Sequence, residues 1–256
     1  MKMMQHNLLG LPVNFYSTES EIAEDIRRAI QIGDPLLVTF INPHAYWIVE
    51  NNLSYQVNLE QFDIVLPDGI GLVYAGCFCG LRLNRVSFDT TSLAPHVLKL
   101  CEDHGFSVFL VGGEPGVADN AASVFQKAYP GLKVAGVSSG YFEDQQRVFE
   151  EINESLANVV IVGMGAPRQE DFLIKLKENG WTGVGITCGG YFNQSSSSIQ
   201  YYPRIIDAIN LRFLYRIFRE PKRLWRRYLI EYIPFFVALS KHIAANIGGK
   251  KNAKQD

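Results

Sequence analysis

The sequence predicts an α/β fold: a Rossmann-like, mostly parallel sheet flanked by helices, with a C-terminal helical appendage. Three observations predict it. Short apolar, β-rich runs alternate with helical patterns of roughly a dozen residues, the signature of βαβ units. Glycine or proline closes nearly every strand run, at the edge where open α/β sheets bind ligands. Beyond Ser195 the strand pattern stops and basic helical sequence replaces it.

The elements follow in order. Pro35–Ile41 reads as a buried strand, and a helix over Ala45–Asn51 follows it. Asp63–Leu66 is a second strand, closed by Pro67-Asp68-Gly69. Ser92–Asp103 is helical, with Leu93, Val97, Leu98 and Cys101 on one face. Phe106–Val111 is a strand that ends at Gly112-Gly113. A helix over Gly116–Tyr129 is stopped by Pro130-Gly131. Leu132–Val137 is a strand and Gln146–Leu156 a helix. Val159–Val162 is a strand ending at Gly163. A helix over Gln169–Asn179 is capped by Gly180, and Gly183–Thr187 is a strand ending at Gly189-Gly190. The expected organisation is a catalytic core over 1–195, a basic amphipathic appendage over 196–247 and a disordered tail over 248–256.

Charge is uneven. The chain has 256 residues and a net charge of −2. Arg204–Arg227 alone holds eight basic residues against two acidic ones, a local excess of +6 that leaves about −8 elsewhere. A compact basic segment on a mildly acidic body points to an anionic partner for that segment. No nucleic-acid module surrounds it, so no nucleic-acid partner is expected. Leu214, Ile217, Phe218, Leu224 and Trp225 give the segment an apolar side, and Tyr232–Val237 follows. That combination reads either as a membrane-surface element or as a solvated helix packed on the core. The four cysteines show no CxxC spacing, and Met1–Phe15 lacks the apolar centre of a secretory signal. A cytoplasmic protein, peripheral on the inner face of the membrane, is the expectation.

The residues able to carry chemistry cluster at the strand ends. Asp68 stands in a glycine-rich turn after a strand. It is either a general base for a hydroxyl or an Asx-turn that caps the next helix. In Gly163-Met164-Gly165-Ala166-Pro167-Arg168-Gln169-Glu170, the glycines free backbone amides to face an anion at a helix start. Arg168 suits a phosphate and Gln169 a sugar or a uracil; the alternative is a tight βα connection with a surface arginine. Gly112-Gly113 and Gly189-Gly190 repeat the pattern. No GxGxxG with its acidic follower and no P-loop is present, though a nucleotide-dependent enzyme of another doubly wound class, or a membrane adaptor using the basic appendage, stays open. There is no HExxH and no DxD, so no metal cofactor is expected. A diphosphate leaving group would then be neutralised by arginines and helix dipoles. Arg216, Arg223 and Arg226 are spaced to lie near one helical face, with Pro221 marking a kink or a new helix start.

Taken together, these residues resemble the WecG/TagA/CpsF family, glycosyltransferase family 26, over roughly Leu36–Leu229. The matching parts are Asn42, Pro67-Asp68-Gly69-Ile70-Gly71, Arg85-Val86 with Asp89, and Val111–Gly116. Tyr129-Pro130, Gly140-Tyr141-Phe142, Gly163–Glu170, Gly189-Gly190 and Glu220–Arg227 complete the series. The resemblance implies an inverting transfer from a UDP-sugar, of N-acetylmannosamine type or another hexose, to a sugar on a polyprenyl diphosphate. Such a reaction belongs to bacterial cell-surface or exopolysaccharide synthesis. By matching position, Asp68 looks like the catalytic base, and Arg85 and Gln169 look like substrate-site residues. Arg216, Arg223 and Arg226 fall where the family places arginines over the diphosphate. The resemblance also implies an appendage that docks on the membrane and completes the site on release from a homo-oligomer. Three departures stand near the expected pocket: Phe40 where the family has threonine, Phe88 where it has glycine, and Tyr201-Tyr202-Pro203 where it has Arg-Ala-Pro. They leave the donor sugar open.

Overall fold

The computed structural model describes residues 5–195, 218 and 221–252. Its centre is a six-stranded, wholly parallel sheet in the order β4-β3-β8-β7-β5-β6. The strands are β3 (Leu36–Ile41), β4 (Ile64–Pro67), β5 (Ser107–Gly112), β6 (Lys133–Ser138), β7 (Val159–Gly163) and β8 (Val184–Thr187). β3, β4, β7 and β8 are apolar almost throughout because both faces of a parallel sheet are covered.

Alternate strand residues feed two cores. On one face Leu37, Ile41, Val160 and Val162 meet α2 (Pro43–Asn51), α3 (Leu53–Glu60), α7 (Gln145–Ser155) and α8 (Arg168–Glu178). On the other, Leu36, Val38, Val159 and Ile161 meet α1 (Glu19–Ile32), α5 (Leu93–His104), α6 (Val117–Ala128) and α9 (Tyr191–Ser195). The largest fully buried side chains include Tyr55, Phe125, Phe172 and Phe192, and each buried Phe contributes about 1.5–3 kcal/mol. This is the three-layer α/β architecture that the strand–helix alternation predicts.

Elements not assigned from the sequence complete the fold. A hairpin joins β1 (Gln5–Leu8) to β2 (Leu11–Asn14) through Leu9 and Gly10, both at positive φ. It seals the open edge of β4, where Asn14 Oδ1 accepts from the Val65 amide at 2.7 Å. α1 starts on a Thr18 cap and ends on Gly33 in the left-handed region. α4 (Ile70–Phe78) starts from the turn after β4.

The appendage, as far as it is described, comprises α10 (Pro221–Arg226), a π-helical turn (Arg227–Glu231) and α11 (Ile233–Asn252). α10 begins at Pro221, where proline costs no helical hydrogen bond. α11 continues to Asn252, so residues 248–252 are helical where a disordered tail was expected. The glycines at 248 and 249 lower helix propensity without ending the helix. Residues 253–256 lie outside the described residues. Phe235 and Leu239 are buried in the core, and Leu224 is buried as well. Phe235 meets Tyr46 of α2 edge-on at 6.0 Å, and the Phe236 ring lies over Gly71 of α4. No described helix is long and apolar enough to cross a membrane.

Candidate active site

The carboxyl ends of the strands form one rim, and the sheet order fixes who stands where. From the outer edge inward the tips carry Asp68 (β4), Asn42 (β3), Gly189-Gly190 (β8), Gly163 (β7) and Gly112-Gly113 (β5). β5 passes to β6 on one side and β7 passes to β8 on the other. The gap between β5 and β7 is therefore a topological switch point, the place where such sheets open a crevice. Strand spacing sets Asp68 about 14 Å from the β7 turn along the rim.

The β3–β4 corner presents side chains. Ile41 and Pro67 are register partners, so Asn42 and Asp68 leave neighbouring strands at the same height. The Asp68 amide donates to the Ile41 carbonyl at 2.6 Å, which fixes the turn, and Asp68 is half-buried at the rim. Asn42 caps α2, its Oδ1 accepting from the His44 amide at 3.0 Å. Arg85, also half-buried, arrives beside them because the Val86 amide donates to the Pro67 carbonyl at 3.0 Å. That loop is stiffened by Asp89, whose carboxylate accepts from the Ser87 hydroxyl and from the Thr91 amide and hydroxyl. Phe40 and Phe88 pack edge-on at 6.1 Å between the corner and Tyr191.

The β5–β7–β8 side presents backbone. Gly112 and Gly163 are register partners, and a Cβ on Gly112 would collide with the Gly163 carbonyl. The Gly113 amide donates to the Gly163 carbonyl at 3.2 Å, and the Gly140 amide donates to the Gly113 carbonyl at 2.8 Å. Only glycine permits this approach of three turns. Arg168 opens α8 and donates to the Gly140 carbonyl at 2.8 Å, with its guanidinium 5.5 Å from the Tyr141 ring centre.

Gln169 is buried rather than open to a ligand. Its Oε1 accepts from the amides of Gly165 (3.2 Å) and Gly189 (3.1 Å), and its Nε2 donates to Glu170 Oε1 at 2.9 Å. The expectation that Gly165 offers a free amide to an anion is therefore corrected: the Gln169 carboxamide takes that donor. Glu170 is wholly buried. It also accepts from Thr39 Oγ1 at 2.9 Å, and Thr39 Oγ1 lies 2.8 Å from Thr187 Oγ1. Burial raises the Glu170 carboxyl to about 6. Sequence reasoning gave Thr39, Thr187 and Glu170 no role. The signal was present in part, because Leu173 and Ile174, three and four residues on, put position 170 on the buried face of α8.

The appendage packs on the two helices that spring from this corner. His44, two residues after Asn42, stacks on Trp47, and its Nε2 lies 2.9 Å from Glu231 Oε2. The other Glu231 oxygen pairs with Arg226 Nε at 3.3 Å. Neither His44 nor Glu231 was singled out from sequence. Arg223 belongs to α10, and Arg216 lies outside the described residues.

A parallel sheet with a carboxylate at one end of its rim and glycine turns at its switch point defines an α/β enzyme. The description "Glycosyl transferase WecG/TagA/CpsF family" fits residues 6–247. The chain belongs to this family and is a glycosyltransferase. It is 31% identical over 205 residues to a UDP-Gal:alpha-D-GlcNAc-diphosphoundecaprenol beta-1,4-galactosyltransferase of Shigella boydii, covering 78% of this chain and 84% of that protein. It is 31% identical over 208 residues to an N-acetylglucosaminyldiphosphoundecaprenol N-acetyl-beta-D-mannosaminyltransferase of Bacillus spizizenii, covering 80% and 79%. The protein of the same name in Bacillus subtilis is 28% identical over 195 residues, covering 75% of each chain.

Proposed function

We propose that this glycosyltransferase moves a hexose from a UDP-sugar to a sugar carried on a polyprenyl diphosphate, with inversion at the anomeric carbon. The relatives' names supply the substrate class, since each acts on N-acetylglucosamine linked to diphosphoundecaprenol. The observation that carries the reading is the position of Asp68, half-buried at a strand tip beside Asn42 and Arg85.

The Asp68 carboxylate takes the proton of the acceptor hydroxyl. The freed oxygen bonds to the anomeric carbon as the bond from that carbon to the UDP β-phosphate oxygen breaks, and UDP leaves with the electron pair. Arg85 and the appendage arginines Arg216, Arg223 and Arg226 compensate the charge that builds on the diphosphate. No metal is required in this scheme, so transfer is expected to survive EDTA. The glycine turns let the donor lie against backbone, and the Arg168 guanidinium, which gives one N–H to the Gly140 carbonyl, carries further N–H donors that could meet it.

The acceptor's lipid explains the appendage. Leu229, Ile230, Ile233, Phe236 and Val237 are all exposed apolar residues beside Arg226 and Arg227. An apolar strip flanked by arginines suits the inner membrane surface, each cation near an anionic leaflet contributing about 1 kcal/mol. The deciding experiment is a screen of UDP-sugars against polyprenyl-diphosphate-linked sugars, with product mass and anomeric configuration measured. A hexose-extended lipid product is expected. The absence of product with every donor, together with no binding of UDP by calorimetry, would overturn the reading.

A further inference from the structure

A buried polar cluster of Thr39, Thr187, Gln169 and Glu170 lies directly under the rim, and its hydrogen bonds run in one direction. Thr39 has a single hydroxyl proton and gives it to Glu170 Oε1, so the 2.8 Å contact with Thr187 is a bond that Thr187 donates. Gln169 Nε2 donates to the same Glu170 oxygen. Two donor chains, one from β3 and β8 and one from the glycine turns, therefore end on one acceptor atom. An ionised carboxylate accepts and cannot donate. It admits one orientation of the Gln169 carboxamide: nitrogen toward residue 170, oxygen toward the Gly165 and Gly189 amides.

The reverse orientation would turn the Nε2 hydrogens toward two backbone N–H groups and strand four donors. Proton occupancy of Glu170 does not change the outcome. Its other oxygen, Oε2, has no hydrogen-bond partner among the described residues, so a proton carried there leaves Oε1 an acceptor in either state. The Tyr55 hydroxyl is likewise buried and unpartnered, and the negative charge of Glu170 reaches it.

We infer that Glu170 is a positioning residue: by fixing which way the Gln169 carboxamide faces, it sets the shape of the Gly163–Gly165 and Gly189-Gly190 turns against which the nucleotide-sugar donor lies. The residue touches no substrate and acts through Gln169. The part of the inference that concerns donor geometry rests on the proposed function; the part that concerns the turns does not.

Two variants and one wild-type measurement test it. Glu170→Leu removes the acceptor at similar size, and Glu170→Gln keeps an oxygen at the Oε1 position. Hydrogen exchange resolved by NMR is expected to show fast exchange of the Gly165 and Gly189 amides in E170L and wild-type protection in E170Q. Donor turnover in E170L is expected to fall at least about tenfold, with E170Q restoring most of it. A purely structural role would instead move activity in step with melting temperature in both variants, and that result would overturn the inference. Equal protection of both glycine amides in E170L would also overturn it. If E170L shows no cooperative unfolding, the wild type decides: protected Gln169 side-chain amide protons support the inference, and freely exchanging ones refute it. Should the wild type bind no UDP, the donor reading falls while the exchange data still judge Glu170.

Discussion

At the β3–β4 corner the rim offers side chains: Asp68, Asn42 and Arg85, half-buried and brought together by strand register and a single backbone bond from Val86 to Pro67. Over β5, β7 and β8 it offers backbone, packed so closely that a methyl group would not fit at Gly112, and held from beneath by a buried carboxamide and carboxylate. The contrast separates two tasks. On the proposed reading, the corner carries the chemistry, which needs a titratable group with access to substrate and so tolerates solvent, and the turns hold the donor. Holding a flat, charged donor needs fixed shape, so the turns spend their polar groups on one another. Substitutions on the two sides should accordingly fail in different ways.

The largest expected effect is at the corner. Asp68→Asn removes the base and keeps the side-chain shape, so turnover should fall about 10²–10⁴-fold while the melting temperature stays within a degree or two of wild type. Wild-type turnover in the variant would remove Asp68 from the mechanism. On the glycine side the order of effects reverses. Gly112→Ala drives a Cβ into the Gly163 carbonyl, and about 3 kcal/mol of stability should be lost before any question of chemistry arises. Urea unfolding measures it, and a loss below about 1 kcal/mol would mean that the two turns can part.

A smaller effect tests the carboxylate beneath the turns. Glu170 is raised from 4.5 to about 6 by burial, so the folded state binds its proton more tightly than the unfolded chain does. The resulting stabilisation is complete below about pH 4.5 and is lost as pH rises through about 6. Gln cannot titrate. The stability of E170Q relative to wild type should therefore improve by about 2 kcal/mol between pH 4 and pH 7. A difference that stays flat across that range would mean the carboxyl is not raised.

How much of this was legible follows from the kind of signal each part sends. β3, β5, β7 and β8 are apolar runs ended by glycine or asparagine, and α5–α8 carry clear apolar faces; these were readable because periodicity and punctuation are local. α4 was not, since Ile70-Gly71-Leu72-Val73-Tyr74-Ala75-Gly76 is apolar on every side and shows no helical stripe. The β1–β2 hairpin turns on Leu9, which is not a usual turn residue. In the site, Asp68 and the glycines were visible because turn chemistry marks them. Glu170 sends no such signal, because a charged residue reads as solvated until its partners from β3 and β8 are known. The Gly165 amide was misassigned for the same reason: which acceptor a backbone N–H finds is a tertiary fact.

The smallest effect lies at Arg168, where the two sides of the rim are hardest to tell apart. Its guanidinium donates to the Gly140 carbonyl and lies over Tyr141, so it ties the β6 loop to the start of α8. Arg168→Ala removes one hydrogen bond and one exposed ring contact, which together should cost about 1 kcal/mol. Arg168→Lys should recover little of that, because an ammonium cannot make the flat contact with the ring while also reaching the carbonyl. Kinetics then assigns the residue to a side. If its work is to hold the loop, KM for the donor rises in both variants in proportion to the loss of stability. If its remaining donors meet the diphosphate, the lysine variant keeps a charge there and its KM rises less than that of the alanine variant at equal stability.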